Sequence, residues 1–133
     1  MASLYDDQMR ELLKQPVIVR ITTINKEGYP HTVPIWFMLD GDDLIVFTER
    51  TTAKAKQVIA NPKGSIAIGG DPIGSPCLLI EGDYEIEDDP DHAITSRITY
   101  HYDPEHAKQW LESWKNDDFI ILRLKPKRVI KVS

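Results

Sequence analysis

The 133-residue sequence predicts a mainly β protein, a small antiparallel barrel, closed or split, of about six strands with short peripheral helices. Three observations predict it. Short β-branched and aromatic runs follow one another with turn signals between them. Gly82 interrupts a long alternating run, where a barrel strand bends. Helical patterns occur only at the start of the chain, after the third strand and after the fifth.

The elements follow in order. Leu4, Met9, Leu12 and Leu13 recur at helical spacing, so residues 4–15 read as an amphipathic helix stopped before Pro16. Residues 16–24 are β-branched throughout, and Asn25-Lys26-Glu27-Gly28 turns them into a second extended run over 31–39. Asp40-Gly41-Asp42-Asp43 turns again into a third strand over 44–48. Residues 51–60 form a helix with Ala55, Val58 and Ile59 as its buried stripe and Asn61-Pro62 as its stop. A fourth strand spans 64–69, a loop spans 70–76, and a long fifth strand spans 77–87. Helices over 90–102 and 104–114 follow, the second with Ala107, Trp110, Leu111 and Trp114 on one side. Residues 119–124 and 128–132 close the chain as a strand pair hinged at Pro126.

Length and composition bound the function. The chain has the size of one domain, 1–133, and no linker or repeat divides it. With 41% hydrophobic and 28% charged residues and no apolar run near ~20 residues, it reads as a globular protein outside the membrane. The opening residues lack a secretory pattern, so a cytoplasmic location is expected. Lone Cys77 reads as a small buried hydrophobe, and the four histidines show no zinc-type spacing. Glu81, Asp83, Glu85, Glu87, Asp88, Asp89 and Asp91 form an acidic patch; without those seven charges the net −5 would become +2. That balance argues against a nucleic-acid partner, and the patch reads as a solvated strand end.

The informative stretch is 47–57, where hydroxyls and cations gather as a strand hands over to a helix. Unpaired N–H groups and the macrodipole at a helix start favour an anion. Thr51 and Thr52 can cap that helix and donate hydroxyls, Lys54 and Lys56 add charge, and Arg50 can fork onto phosphate oxygens. The plain alternative is a capped helix with a solvated lysine face. No nucleophile elbow, P-loop or dinucleotide fingerprint is present, and no paired carboxylates or triad emerge. No side chain is therefore assigned as catalytic, and a bound cofactor would supply the reactive atom.

The ordered pieces N-K-E-G-Y-P-H, V-P-I-W-F, D-G-D-D-L-I-V-F-T and T-A-K-A-K-Q-V-I-A-N-P-K-G-S-I-A-I resemble the pyridoxamine-5′-phosphate-oxidase-like, FMN-binding split barrels, including their deazaflavin-dependent branch. The resemblance implies a six-stranded split barrel and a homodimer with the cofactor at the interface. It implies FMN, or alternatively the deazaflavin coenzyme F-420, and a hydride passed to or from a small planar substrate. The alternative is a carrier or sensor without turnover. By the same resemblance, Thr48, Thr52 and Lys54, with Phe47, Arg50, Thr51 and Gln57 around them, contact the phosphate or ribityl tail. Val33, Pro34, Ile35 and Trp36 lie along the ring. Pro34 has no N–H for a sheet ladder, so its strand should be locally unpaired, and alternation puts Trp36 rather than Phe37 at the pocket rim. The chain departs from the oxidase pattern at Ala53 and Phe37, where basic residues are usual, and at its C-terminus, which lacks the R-x-H-x-R substrate clamp. Those departures argue against pyridoxamine-phosphate oxidation itself, and the V-P-I-W-F strand and the short, helix-containing C-terminal half look more like the deazaflavin-dependent and uncharacterised branch.

Overall fold

The computed structural model of the protein describes residues 4–70 and 75–132; part of the expected 70–76 loop lies outside that set. The elements are α1 (Asp7–Leu13), β1 (Val19–Ile24), β2 (Pro30–Ile35), β3 (Met38–Asp40), β4 (Asp43–Glu49), α2 (Ala53–Ala60), β5 (Lys63–Gly69), β6 (Cys77–Asp88), α3 (Ala93–Tyr102), α4 (Ala107–Ser113) and β7 (Phe119–Val132). Every strand pairing is antiparallel, in the order β2-β1-β5-β6-β7-β4-β3. The two edge strands, β2 and β3, are consecutive in the chain and separated only by Trp36 and Phe37. A two-residue link cannot span a flat seven-stranded sheet, since strands lie about 4.8 Å apart. The sheet therefore curls until its edges meet at this corner, which makes a split barrel.

The strand count is seven rather than six. The run expected over 31–39 breaks at Trp36-Phe37, because the N–H of Phe37 donates to the hydroxyl of Tyr102 (3.0 Å) instead of to a ladder partner. The C-terminal pieces, in contrast, form one strand. Pro126 lies beyond Leu124, where the pairing of β7 with β4 ends, so its missing N–H falls on a free edge. Opposite it the β6 register shifts between Glu81 and Gly82: Gly82 faces Pro126, Glu81 faces Arg128, and Lys127 is the extra residue of a bulge. Gly82 thus marks the bend its position predicted.

One core fills the barrel, with Val19, Ile21, Phe37, Leu44, Val46, Ile66, Ile80, Ile120, Leu122 and Leu124 all essentially inaccessible. Pleat alternation sends Ile45 and Ile121 to the outer face, where Ile98 of α3 buries them with Trp36, Phe47 and Ile94 packed around. Strands β4 and β7 are thus buried on both faces, which explains their unbroken apolar runs. Two burial expectations fail. Ile59 is 69% exposed, because only Ala55 and Val58 of α2 face the barrel. Cys77 is half-buried at the start of β6.

The acidic stretch is not simply solvated. Asp83 pairs with Lys127 (2.7 Å), Glu81 with Arg128 (3.9 Å) and Glu87 with Arg123, so β6 lies against the basic end of β7 as a cross-strand ion ladder. Asp89 is buried and accepts from the N–H of Thr95 (2.8 Å) and its hydroxyl (2.7 Å), anchoring the start of α3. This is why α3 begins at Ala93 rather than at residue 90. No helix among the described residues is long and apolar enough to cross a membrane.

At Gly82 an added Cβ would lie 2.0 Å from the carbonyl oxygen of Lys125, a backbone atom that cannot move aside without breaking the bulge. Gly82→Ala is expected to cost about 1–3 kcal/mol, read as a lowered denaturation midpoint at unchanged slope.

Candidate functional site

Outside the barrel, next to the corner, lies a cleft of about 290 Å³ lined by Ile35, Trp36, Phe47, Lys54 and Trp114. Each element delivers its residue for a local reason. The end of β2 brings Ile35 and the corner brings Trp36. The outward-facing phase of β4 brings Phe47, the first turn of α2 brings Lys54, and the C-cap of α4 brings Trp114. Lys54 is half-buried, and the loss of hydration lowers its pKa. It makes no ion pair among the described residues.

The lining is chemically one-sided. Its polar side-chain atoms are the Lys54 ammonium and the indole N–H groups of Trp36 and Trp114, which are all donors. None is engaged by a described residue, and none is sealed from solvent. The cleft therefore offers a flat apolar surface, one cation and no side-chain acceptor, which suits an aromatic ligand carrying negative charge.

The sequence-predicted residues divide into groups. Ile35, Trp36, Phe47 and Lys54 line the cleft together. Phe37 is fully buried in the core, leaving Trp36 as the rim residue of the pair. Val33 packs toward the core, and Pro34 is exposed on β2, opposite Arg20 of β1; neither lines the cleft. The register with β1 runs unbroken through Pro34, so the local unpairing expected there is confined to the other edge of β2, which has no strand neighbour among the described residues. Thr51 is exposed. The Thr52 side chain caps α2, accepting from the N–H of Ala55 (3.4 Å), donating to the Glu49 carbonyl (3.0 Å) and lying 3.0 Å from the hydroxyl of buried Thr48. Arg50 does not present a free fork: Asp118 (2.7 Å) and Asp88 (2.6 Å) hold its guanidinium and raise its pKa. Gln57 faces inward, its amide oxygen accepting from Thr23 (2.5 Å) and lying 3.0 Å from Nδ1 of His31, so it ties α2 to β1 and β2.

Two residues at the corner and the cleft carry no local signal in the sequence. Tyr102, at the end of α3, stacks on Trp36 with centroids 5.0 Å apart and planes 9° from parallel. Its hydroxyl accepts from Phe37 N and donates to the Val17 carbonyl (2.6 Å), and burial pushes its pKa up to about 12. Trp114 packs on Phe47 (5.9 Å), Phe119 (5.8 Å) and Trp110 (5.7 Å). Helical periodicity placed it on an apolar stripe, but nothing nearby in the chain indicates that Phe47 and Lys54 lie beside it. A larger hollow of about 600 Å³ between α1 and the start of β6 contains none of the predicted residues, and its one cation, Lys131, is paired with Asp6 (3.0 Å).

Comparison with known proteins identifies the same architecture. The sequence model of the pyridoxamine 5′-phosphate oxidase family matches residues 5–133. No curated protein matches the chain. Among solved structures, the fold is similar to that of an F-420 reductase (TM-score 0.78, 23% identity, 95% of this chain and 98% of that one). It is also similar to the general stress protein 26 of Bacillus anthracis (TM-score 0.71, 17% identity, 95% and 92%) and to HutZ, a heme storage protein of Vibrio cholerae (TM-score 0.72, 14% identity, 98% and 95%). At these identities the likeness is one of fold.

The corner itself is open to test. Tyr102→Phe keeps the stack on Trp36 but leaves Phe37 N–H and the Val17 carbonyl without their partner. The expected loss is about 1–3 kcal/mol of stability, with faster hydrogen exchange at the Phe37 amide than in the wild type.

Proposed function

The chain belongs to the pyridoxamine 5′-phosphate oxidase family, and from that premise we propose that it is an oxidoreductase binding FMN, or alternatively the deazaflavin coenzyme F-420, in the cleft at the barrel corner. The observation that carries this reading is Lys54: a half-buried lysine without an ion-pair partner among the described residues, in an aromatic, donor-only lining beside edge strand β2. A desolvated cation held that way gains most from an anion that brings a flat ring with it. Residues of this chain fit both halves of such a ligand. Lys54, with the N–H groups at the start of α2, holds the anionic tail. Trp36, Ile35 and Phe47 receive the ring and keep water from it.

When bound, the tricyclic group supplies the hydride chemistry toward a small planar substrate; the chain's side chains bind and orient it. With Arg50 neutralised by Asp88 and Asp118, Lys54 is the principal charge of the seat, and the hydroxyls of Thr48 and Thr52, 3.0 Å apart, fasten the strand end to the helix cap behind it. Proteins of this family are often dimers, and we place the cofactor of this chain at a twofold interface. The family's fold also occurs in a heme storage protein. The lining here offers no imidazole, thiolate, thioether or phenolate for an iron, which favours the flavin class.

A carrier or sensor without turnover is the second reading. It is favoured by the fact that the only titratable side chain in the lining, Lys54, is the one the anion needs. Anaerobic reduction of the bound cofactor, followed by addition of candidate acceptors, separates the two readings, since a carrier shows no acceptor-dependent reoxidation.

The binding test is a titration of the purified protein with FMN and, separately, with F-420. Micromolar affinity for one of them is expected, and binding of neither refutes the proposal. Lys54→Ala should weaken binding by about 1.5–3 kcal/mol, roughly 10- to 150-fold. Because burial lowers the Lys54 pKa from its ordinary 10.5, its charge is lost earlier as pH rises. Affinity should therefore decline on the alkaline side at a lower pH than an exposed lysine would give, and the Lys54→Ala variant should lack that limb.

A further inference from the structure

We propose that Trp114 is a ligand-contacting residue of the same cleft, so that the helical insertion between β6 and β7, and not only the barrel, sets which ring is accepted. This rests on the flavin-class reading and adds to it a wall that the phosphate seat and the β2 strand do not provide. Three observations support it. Trp114 lines the cleft with Lys54 and Trp36, although its own segment joins the barrel from the far end of the chain. Its indole N–H is accessible and donates to no described residue, whereas that of neighbouring Trp110 donates to Asp103 (3.0 Å). Its ring is fixed before any ligand arrives: Phe47 and Phe119 contact it at 51° and 74°, and Trp110 stacks on it at 17° without reaching the lining.

The chemistry of these contacts selects the ligand. A rigid indole loses little conformational freedom on binding and offers a π-face together with one donor at its edge. With Trp36 and Lys54 in the same lining, the two indoles receive a flat, acceptor-rich heteroaromatic whose negative charge reaches the ammonium. A ligand that presents donors toward the lining meets no side-chain acceptor there, and the desolvation of those donors counts against it.

Fluorine resonances of 5-fluorotryptophan-labelled protein test this without disturbing the fold. The three tryptophans give three signals, assigned through Trp36→Phe, Trp110→Phe and Trp114→Phe. On titration with FMN, or with F-420 if FMN does not bind, the Trp114 and Trp36 signals should shift saturably along the binding curve, and Trp110 less. Trp114→Ala should weaken binding about tenfold, and Trp114→Phe, which keeps a ring but not the N–H, by less. A Trp114 signal that stays in place while the ligand saturates, or a Trp114→Ala variant that folds and binds as the wild type does, overturns this inference and leaves the binding proposal intact. A wild-type protein that binds neither compound overturns both.

Discussion

The structure depends on a single hydrogen-bonded corner. The sheet starts and ends at strands that are neighbours in the chain, and between them the N–H of Phe37 is removed from any ladder and given to Tyr102. A buried N–H without a partner would be costly, so the hydroxyl that receives it fixes where the barrel is split. The same hydroxyl donates to Val17, just ahead of β1, and the ring above it stacks on Trp36. One side chain thus joins the opening of the barrel, the helical insertion and the cleft.

The electrostatics around that opening are divided between structural and available charge. Arg50 and Arg123 are each surrounded by carboxylates: Asp88 and Asp118 for the first, Glu87, Asp40 and Asp43 for the second. These pairs fasten the ends of β4, β6 and β7 to one another. The exposed Arg50 pairs contribute little stability individually, whereas Arg123 is largely buried among its carboxylates; in both cases the guanidinium is unavailable to a ligand. Lys54 is placed differently, with apolar neighbours rather than carboxylates around it. The contrast between a neutralised arginine and, four residues later, a lysine with no ion-pair partner among the described residues separates scaffold from candidate site.

Much of the fold was legible because its cues are local. Turn residues and β-branched runs located β1, β4, β5 and β6, Pro34 pointed to an edge, and Gly82 pointed to the bulge at Glu81/Gly82. Where the reading failed, the deciding partner was remote. The break at Trp36-Phe37 is invisible without Tyr102, and the continuity of β7 through Pro126 depends on β4 having ended. Within the candidate site, Lys54 and Phe47 were legible at a strand-to-helix junction, and Trp36 through the V-P-I-W-F strand. Trp114 was not, since helical periodicity shows only that an indole has an apolar side. Arg50 misleads for a similar reason: its two carboxylates lie on other strands and turns, beyond what spacing along the chain reveals.

Residues 89–118 leave the barrel at the end of β6 and return at the start of β7, and those two strands are direct neighbours. The excursion is therefore an outgrowth whose two ends are already pinned together, and lengthening such a loop adds little entropic cost. Lys54, by contrast, sits on a helix clamped to β1 and β2 through Gln57. The first half of the outgrowth is tied to the barrel, since Tyr102 holds the corner and Ile98 covers Ile45 and Ile121; the part that follows, α4 with Trp114 at its end, is where the cleft can vary while Lys54 stays in place.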